Sequence, residues 1–425
     1  MNGLPTSRWY SEVSMMCRLL RSAVTVLLDE RNTATRWTNK SDMKSAARLI
    51  LACTFATIML ATLAFCNADE PKLPEGSRAI FNGKDLPAPA SLPPGYADHS
   101  DLAHFIDLQG RRRPIRSVDD WLIRKRHVQL HLQSVMGPLP GPPQRVPLDV
   151  GTIEEARVGA VTRRKLTYQS DAADRVPAYL FIPDHKSGSK LPAVLCLQQT
   201  TKSGKAEPAG LAGDPSLHYA LHLAERGYVT LAPDYPSFGE HTYEFGPQTG
   251  YSSGSMKAVW DNIRAVDLLQ SLSIVDGERI GCIGHSLGGH STIFTAVFEP
   301  RLKVLVSNCG FCTFRKDDVP SWTGPRYMPR IAGVYENDAA KVPFDFPELI
   351  ACLAPRPFLA SAAEGDNDFD VSGVRDCVRS ARPIYALLGA STALEESYYP
   401  GPHAFPDTAR KRAYEFLDKF LMPGS

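Results

Sequence analysis

The sequence predicts an α/β fold: a mostly parallel central sheet with helices on both faces. Three observations carry that prediction. From residue 193 onward, short apolar runs alternate with stretches of helical spacing, the pattern of a sheet covered on both sides. Ahead of them, residues 158–169 and 178–182 alternate apolar and polar as antiparallel edge strands do. Finally, the apolar run Ile280–Ile283 meets Gly284-His285-Ser286-Leu287-Gly288 and passes directly into small residues. That is what a strand turning sharply into a helix requires, with a serine at the tip of the turn.

In chain order, residues 69–97 are rich in Pro, Gly and Ala and read as a linker or surface wrap. A helix is predicted over 118–135, with Ser117 or Asp119 at its start, Trp121, Val128, Leu130 and Val135 as apolar positions, and Gly137-Pro138 ending it. Residues 69–147 thus form an N-terminal linker and helix, and 148–425 the main domain. After the edge strands come strands at 193–197 and 228–232, with a helix over 211–226 between them ended by Gly227. The Gly-, Pro- and aromatic-rich stretch 235–251 reads as an active-site loop. A helix over 256–272 precedes the strand 279–283. Strands at 304–307, 358–362 and 396–399 and a last helix over 408–421 complete the alternation. Residues 311–345 exceed a simple crossover and hold Phe314, Trp322, Tyr327, Met328 and Tyr335. They read as an inserted lid-like segment or pocket wall, the other reading being a helix with its aromatics in the core.

The N-terminus carries a targeting pattern. Lys44 and Arg48 precede the uncharged apolar stretch 49–65, and Cys66-Asn67-Ala68 offers small residues before a polar segment. Residues 43–68 therefore read as a signal peptide and the protein as secreted or periplasmic. Contact with a membrane is expected only if that segment stays uncleaved. Residues 1–42 precede it as an extension outside the working protein. The formal net charge of +1 over 425 residues gives no field that would steer the chain to nucleic acid. The basic cluster 111–116 lacks interleaved aromatics and reads as solvated surface. Of nine cysteines, Cys196 and Cys282 lie in apolar runs and read as packing. Cys309 and Cys312 spell C-x-x-C but lack further ligands at zinc spacing, so a local disulfide or packing is expected and no metal.

Ser286 sits at the carboxyl end of a strand, where such sheets place ligands. A serine hydroxyl needs an adjacent base to act as a nucleophile. Only His290 and His403 follow it. His290, four residues along the elbow helix, would lie beside the hydroxyl without facing it. His403, in the loop after the last strand, can reach across the strand tips. An acid is expected after strand 358–362, where Glu364, Asp366, Asp368 and Asp370 crowd one loop. An oxyanion hole needs two backbone N–H groups: one from Leu287, after the nucleophile, and one from the loop after 193–197.

The stretches V-D-G-E-R-I-G-C-I-G-H-S-L-G-G, A-P-R-P-F-L-A-S-A-A-E-G-D and G-P-H-A-F-P resemble the α/β-hydrolase superfamily, and within it the dienelactone-hydrolase and acetyl-xylan-esterase-like branch. The resemblance spans residues 161–421. It implies the α/β-hydrolase fold, with Asp366, after Gly365, as the orienting carboxylate. It also implies Thr200 as the second oxyanion donor with Gln199 as runner-up, although Gln198-Gln199-Thr200-Thr201 stand where many relatives have His-Gly. The expected activity is that of a serine esterase acting through an acyl-enzyme on small acyl esters, including acetyl groups of carbohydrates, with no cofactor. Trp322 and Tyr327 would line the substrate pocket. Two alternatives are a serine peptidase of the prolyl-oligopeptidase type, for whose gating propeller residues 69–147 are too few, and a non-catalytic module, which would not need both Ser286 and His403.

Overall fold

In the computed structural model a short antiparallel hairpin, β1 (His104–Ile106) and β2 (Arg112–Pro114), leads into α1 (Val118–Met136). The structure describes residues 92–422, which belong to the second of the chain's two compact units, Leu73–Ser425. The predicted extension (1–42), the signal peptide (43–68) and the first part of the linker lie outside the described residues. Ser117 caps α1 by accepting from the Asp120 amide, while the Asp120 carboxylate accepts from the Ser117 amide, a reciprocal box that satisfies two otherwise orphaned donors.

Three antiparallel strands follow: β3 (Gly151–Val158), β4 (Val161–Asp171) and β5 (Asp174–Pro183). The predicted strand 158–169 is corrected here. Gly159, at φ 57°, makes a turn, and the chain before it is a strand of its own. β3 lies at the sheet edge with mostly exposed residues, so its alternation gave no apolar signal. β6 (Leu191–Leu197) is fully inside the sheet. The helix expected over 211–226 is confined to α2 (Tyr219–Glu225). Gly210 and Gly213 take left-handed backbone angles and Pro215 opens a 3-10 turn, so helical geometry begins late.

β7 (Val229–Pro233), α3 (Gly254–Ser271), β8 (Val275–His285), α4 (Leu287–Phe298) and β9 (Leu302–Asn308) build the centre. The one-turn helix α5 (Arg330–Gly333) lies in the inserted segment, and α6 (Phe346–Leu353) follows it. β10 (Phe358–Ala363), α7 (Val371–Leu387), β11 (Leu394–Tyr399) and α8 (Asp407–Leu421) close the fold. The strand order is β11-β10-β9-β8-β6-β7-β5-β4-β3, parallel from β11 to β7 and antiparallel beyond. α6 and α7 were not predicted. Gly373 and Pro383 argue locally against α7, yet Val374, Cys377, Val378, Ala381, Ile384 and Tyr385 bury one face of it.

Two apolar cores flank the sheet. One gathers residues of α1, α3, α4, α6 and α7; the other gathers residues of α2 and α8. The inserted segment is founded in the larger core: Phe311, Phe314, Trp322 and Met328 are buried there, while Tyr327 and Tyr335 are only partly covered. Most of its large apolar side chains are therefore core residues that anchor the segment in the body of the fold. Among the described residues no helix is long and apolar enough to cross a membrane.

Candidate active site

β8 delivers Ser286 and α4 begins one residue later. Between them Ser286 adopts φ 54° and ψ −121°, a conformation that costs a non-glycine residue about 1–3 kcal/mol and persists only where its surroundings enforce it. The enforcement is visible. A Cβ on Gly284 would lie 2.2 Å from the Gly288 carbonyl group, and one on Gly288 would lie 1.9 Å from the Leu197 oxygen. The start of α4 is thus pressed onto the end of β6. The Ser286 amide donates to the Asn308 carbonyl at 2.9 Å, tying the elbow to β9 as well.

His403 and Asp366 arrive from the loops after β11 and β10. His403 Nδ1 lies 3.0 Å from both carboxylate oxygens of Asp366, whose side chain is fully buried. Asp366 Oδ1 also accepts from the Asp368 and Phe369 amides at 2.9 and 3.1 Å. Burial, the largest single influence, would raise the Asp366 carboxyl, but the hydrogen bond and charge of His403 and these amides outweigh it and hold it below the usual carboxylate range. The other three carboxylates are engaged elsewhere or exposed. Glu364 pairs with Arg375, Asp370 caps α7, and Asp368 is mostly exposed with an oxygen 3.7 Å from His403 Nε2.

The His403 ring lies 4.7 Å, centroid to centroid, from His285, the residue before Ser286. Burial, with the neighbouring His403, pushes His285 down to about 3, so it remains neutral there. Asn308 donates its amide N–H to His285 Nδ1 at 2.7 Å and to the Ala404 carbonyl at 3.1 Å. Tyr399 and Ser361 converge on Asn308 Oδ1 at 2.8 and 2.7 Å. Asn308 and Tyr399 thus bind the loop of His403 to the strands. Sequence reasoning missed both, and the only signal was their place at the carboxyl ends of strands. His290 lies buried against Trp322 and Phe294.

Leu287, the first residue of α4, is buried, and Thr200 stands exposed on the loop after β6. The loop lacks glycine at 198–201, but Gly204 supplies it at φ 54°, where a Cβ would meet Asp234 at 2.1 Å. Asp234 accepts from the Lys205 amide and ammonium, both at 2.7 Å, and from the Glu240 amide at 2.9 Å, pinning this loop to the next one. The Gln199 side chain donates to Glu207 at 2.8 Å. Tyr327 places its hydroxyl 3.4 Å from Thr200 Oγ1 and packs on a cluster containing Leu287. Trp322 needs correction. It is 5% exposed, with its indole N–H on Asp317, and sits within rings of Phe314, Phe346 and Phe369. Besides His285, the ring of Phe369 borders His403, at 5.9 Å, and Trp322 backs Phe369 from the core.

The six described cysteines are free, Cys309 and Cys312 included, so no local disulfide joins them. Cys309 Sγ lies 3.1 Å from the Tyr399 hydroxyl, and its donor atom comes within 4.8 Å of those of Asp366 and His403. Asp174, His241 and Asp261 form a second group of that kind, where the buried Lys257 ammonium meets both carboxylates.

Sheet order and elbow together define the class of fold: the chain has the α/β-hydrolase fold. A family model, that of the prolyl oligopeptidase family (Peptidase_S9), matches residues 215–374, which include Ser286 and Asp366 and stop short of His403. YtaP of Bacillus subtilis strain 168, described as a hydrolase, is 28% identical over 294 residues, covering 66% of this chain and 95% of YtaP. The carbohydrate esterase MZ0003, from an unknown prokaryotic organism, is 26% identical over 153 residues, 33% of this chain and 34% of that protein. A solved glucuronoyl esterase from Solibacter usitatus superposes with a TM-score of 0.61 at 19% identity, covering 79% of this chain and 98% of its own.

Proposed function

We propose that this chain is a serine carboxylic ester hydrolase, with Ser286 as nucleophile, His403 as general base and acid, and Asp366 as the group that orients the imidazole. The observation that carries the reading is the His403–Asp366 pair, 3.0 Å apart, set beside an elbow on which Ser286 is held at φ 54°. In the first half-reaction the Ser286 oxygen bonds to the ester carbonyl carbon while its proton passes to His403. The alcohol then leaves with that proton, and an acyl-enzyme remains. Water repeats the sequence and releases the acid. The backbone N–H groups of Leu287 and Thr200 are assigned to the oxyanion, which such donors stabilise by about 3–4 kcal/mol each.

Small acyl groups on carbohydrates, acetyl first, are the assigned substrates. Named carbohydrate and glucuronoyl esterases among the relatives support a sugar ester. The apolar stretch 49–65 with its small-residue end supports export to a place where such polymers are found, with a mature protein beginning near Asp69. N-terminal sequencing of the exported protein checks that start. The match to the prolyl oligopeptidase model favours a second reading, a peptidase.

One experiment separates them. Ser286→Ala should abolish fluorophosphonate labelling and lower ester turnover by several powers of ten, with the fold intact by circular dichroism. The wild type should favour acetyl over palmitoyl esters by at least about tenfold in kcat/KM, with a proline peptide amide slower still. A mutant that keeps a tenth of the turnover would sink the site, whereas faster peptide cleavage would sink the substrate class.

A further inference from the structure

Arginine and lysine side chains are costly to bury unless an anion accompanies them. This chain respects that rule at Arg124, Lys205, Lys257 and Arg264, each buried and each against a carboxylate: Glu348, Asp234, Asp174 with Asp261, and Asp267. Arg326 departs from it. It is 5% exposed, yet among the described residues no carboxylate or other acceptor meets its guanidinium. The guanidinium lies over the Phe238 ring instead, with Cζ 4.4 Å from the centroid.

The position is fixed from both sides. The Tyr235 hydroxyl donates to the Arg326 carbonyl at 2.6 Å. The flanking residues lie across the start of α3, with the Gly254 amide on the Pro325 carbonyl and the Ser255 amide on the Tyr327 carbonyl. A Cβ at Gly254 would stand 2.2 Å from the Arg326 oxygen, so that glycine is what allows the approach. Phe238 and Tyr235, which hold the arginine, pack in one cluster with Leu287 and Tyr327. The unpaired cation therefore stands against the cluster that also holds the residue following the nucleophile.

We infer that Arg326 is a subsite for a carboxylate on the alcohol part of the substrate. The class is acyl esters of acidic sugars: an acetyl group on, or next to, a uronate unit of a polysaccharide. A guanidinium stacked by one face on a ring keeps its N–H edge for a planar, bidentate partner, which a carboxylate is. One cation also matches one negative charge. Since the whole chain carries only +1, the attraction has to be local, and Arg326 supplies it. The inference rests on the esterase reading of Ser286 and His403 and adds the charge of the substrate to it.

The test compares kcat/KM for two probes, a monoacetylated methyl glucoside and the equivalent monoacetylated methyl glucuronide, in wild type, Arg326→Met and Arg326→Lys. The wild type should prefer the glucuronide by about tenfold or more. Arg326→Met should bring the ratio near one, through KM of the acidic probe, while the neutral probe changes less than about threefold. Arg326→Lys should fall between them. Free methyl glucuronide should compete with a neutral aryl acetate in the wild type and do so at least about fivefold less well in Arg326→Met. Equal rates on both probes in the wild type overturn the subsite and leave the esterase reading standing. So does an equal loss on both probes in a folded Arg326→Met. Failure of the wild type to cleave any of the esters would sink the esterase reading, and the subsite with it.

Discussion

His403 is flanked by two carboxylates that differ in what surrounds them. Asp366 is buried, faces Nδ1 and is itself anchored by two backbone amides; Asp368 is 65% exposed and lies 3.7 Å from Nε2. Only the first can set the tautomer, because its hydrogen bond specifies that Nδ1 carries the proton and leaves Nε2 free to accept one. Asp366→Asn should therefore lower kcat by about 10⁴. Asp368→Asn should change it less than about tenfold. Steady-state rates on an acetyl ester measure both, and a larger loss at Asp368 would reverse the assignment. From residues alone four carboxylates competed in this loop; the resemblance selected Asp366, and the geometry now places it on His403. Trp322 went the other way, since an aromatic residue between two core strands reads the same in a pocket wall as in a core. Arg326 gave no sequence signal at all. What sets it apart is a missing partner, and absence of a partner is a property of three dimensions.

At the scale of elements, the elbow is defined by backbone contact. Gly284 and Gly288 are held to glycine by facing main chain, which cannot swing aside as a side chain can. Gly288→Ala would drive a methyl group to 1.9 Å from the Leu197 oxygen and 2.9 Å from that of Gln198. α4 must then lift off β6, at a cost on the order of 3 kcal/mol. The move separates the Leu287 amide from the loop of Thr200, so activity should fall at least about hundredfold even in molecules that stay folded. Chemical denaturation and kcat together check it. A variant with wild-type stability and activity would show that the contact is not tight. This element was legible because its sterics are written in five adjacent residues. α7 was not, because Pro383 and Gly373 speak against a helix locally while burial of Val374, Val378, Ala381 and Tyr385 decides for one. β3 was hidden for the opposite reason: an edge strand with little buried face has no alternation to read.

Across the whole molecule, burial sets how the fold responds to acid. His285 and His290 are each pushed down to about 3, by burial above all. The unfolded chain takes up protons at these sites near pH 6.5, whereas the folded chain refuses them until about 3. The unfolded state thus binds more protons between those limits, so stability falls as pH is lowered from 6.5 towards 3, by at most about 1.4 kcal/mol per pH unit for each site. Asp345 and Asp317, raised by burial to about 7 and about 6, act oppositely, because they favour the folded state while protonated. The net slope of the wild type mixes the two, but a single replacement isolates one site. His290 packs between Trp322 and Phe294, with ring centroids at 4.7 and 5.6 Å, so phenylalanine can take its place with little change in shape. His290→Phe should lose about 2 kcal/mol less stability than the wild type between pH 6.5 and 4.5. Urea unfolding at the two pH values measures the difference. Equal losses in the two proteins would mean that His290 already binds its proton in the folded state, and that its pocket between the rings is open to water.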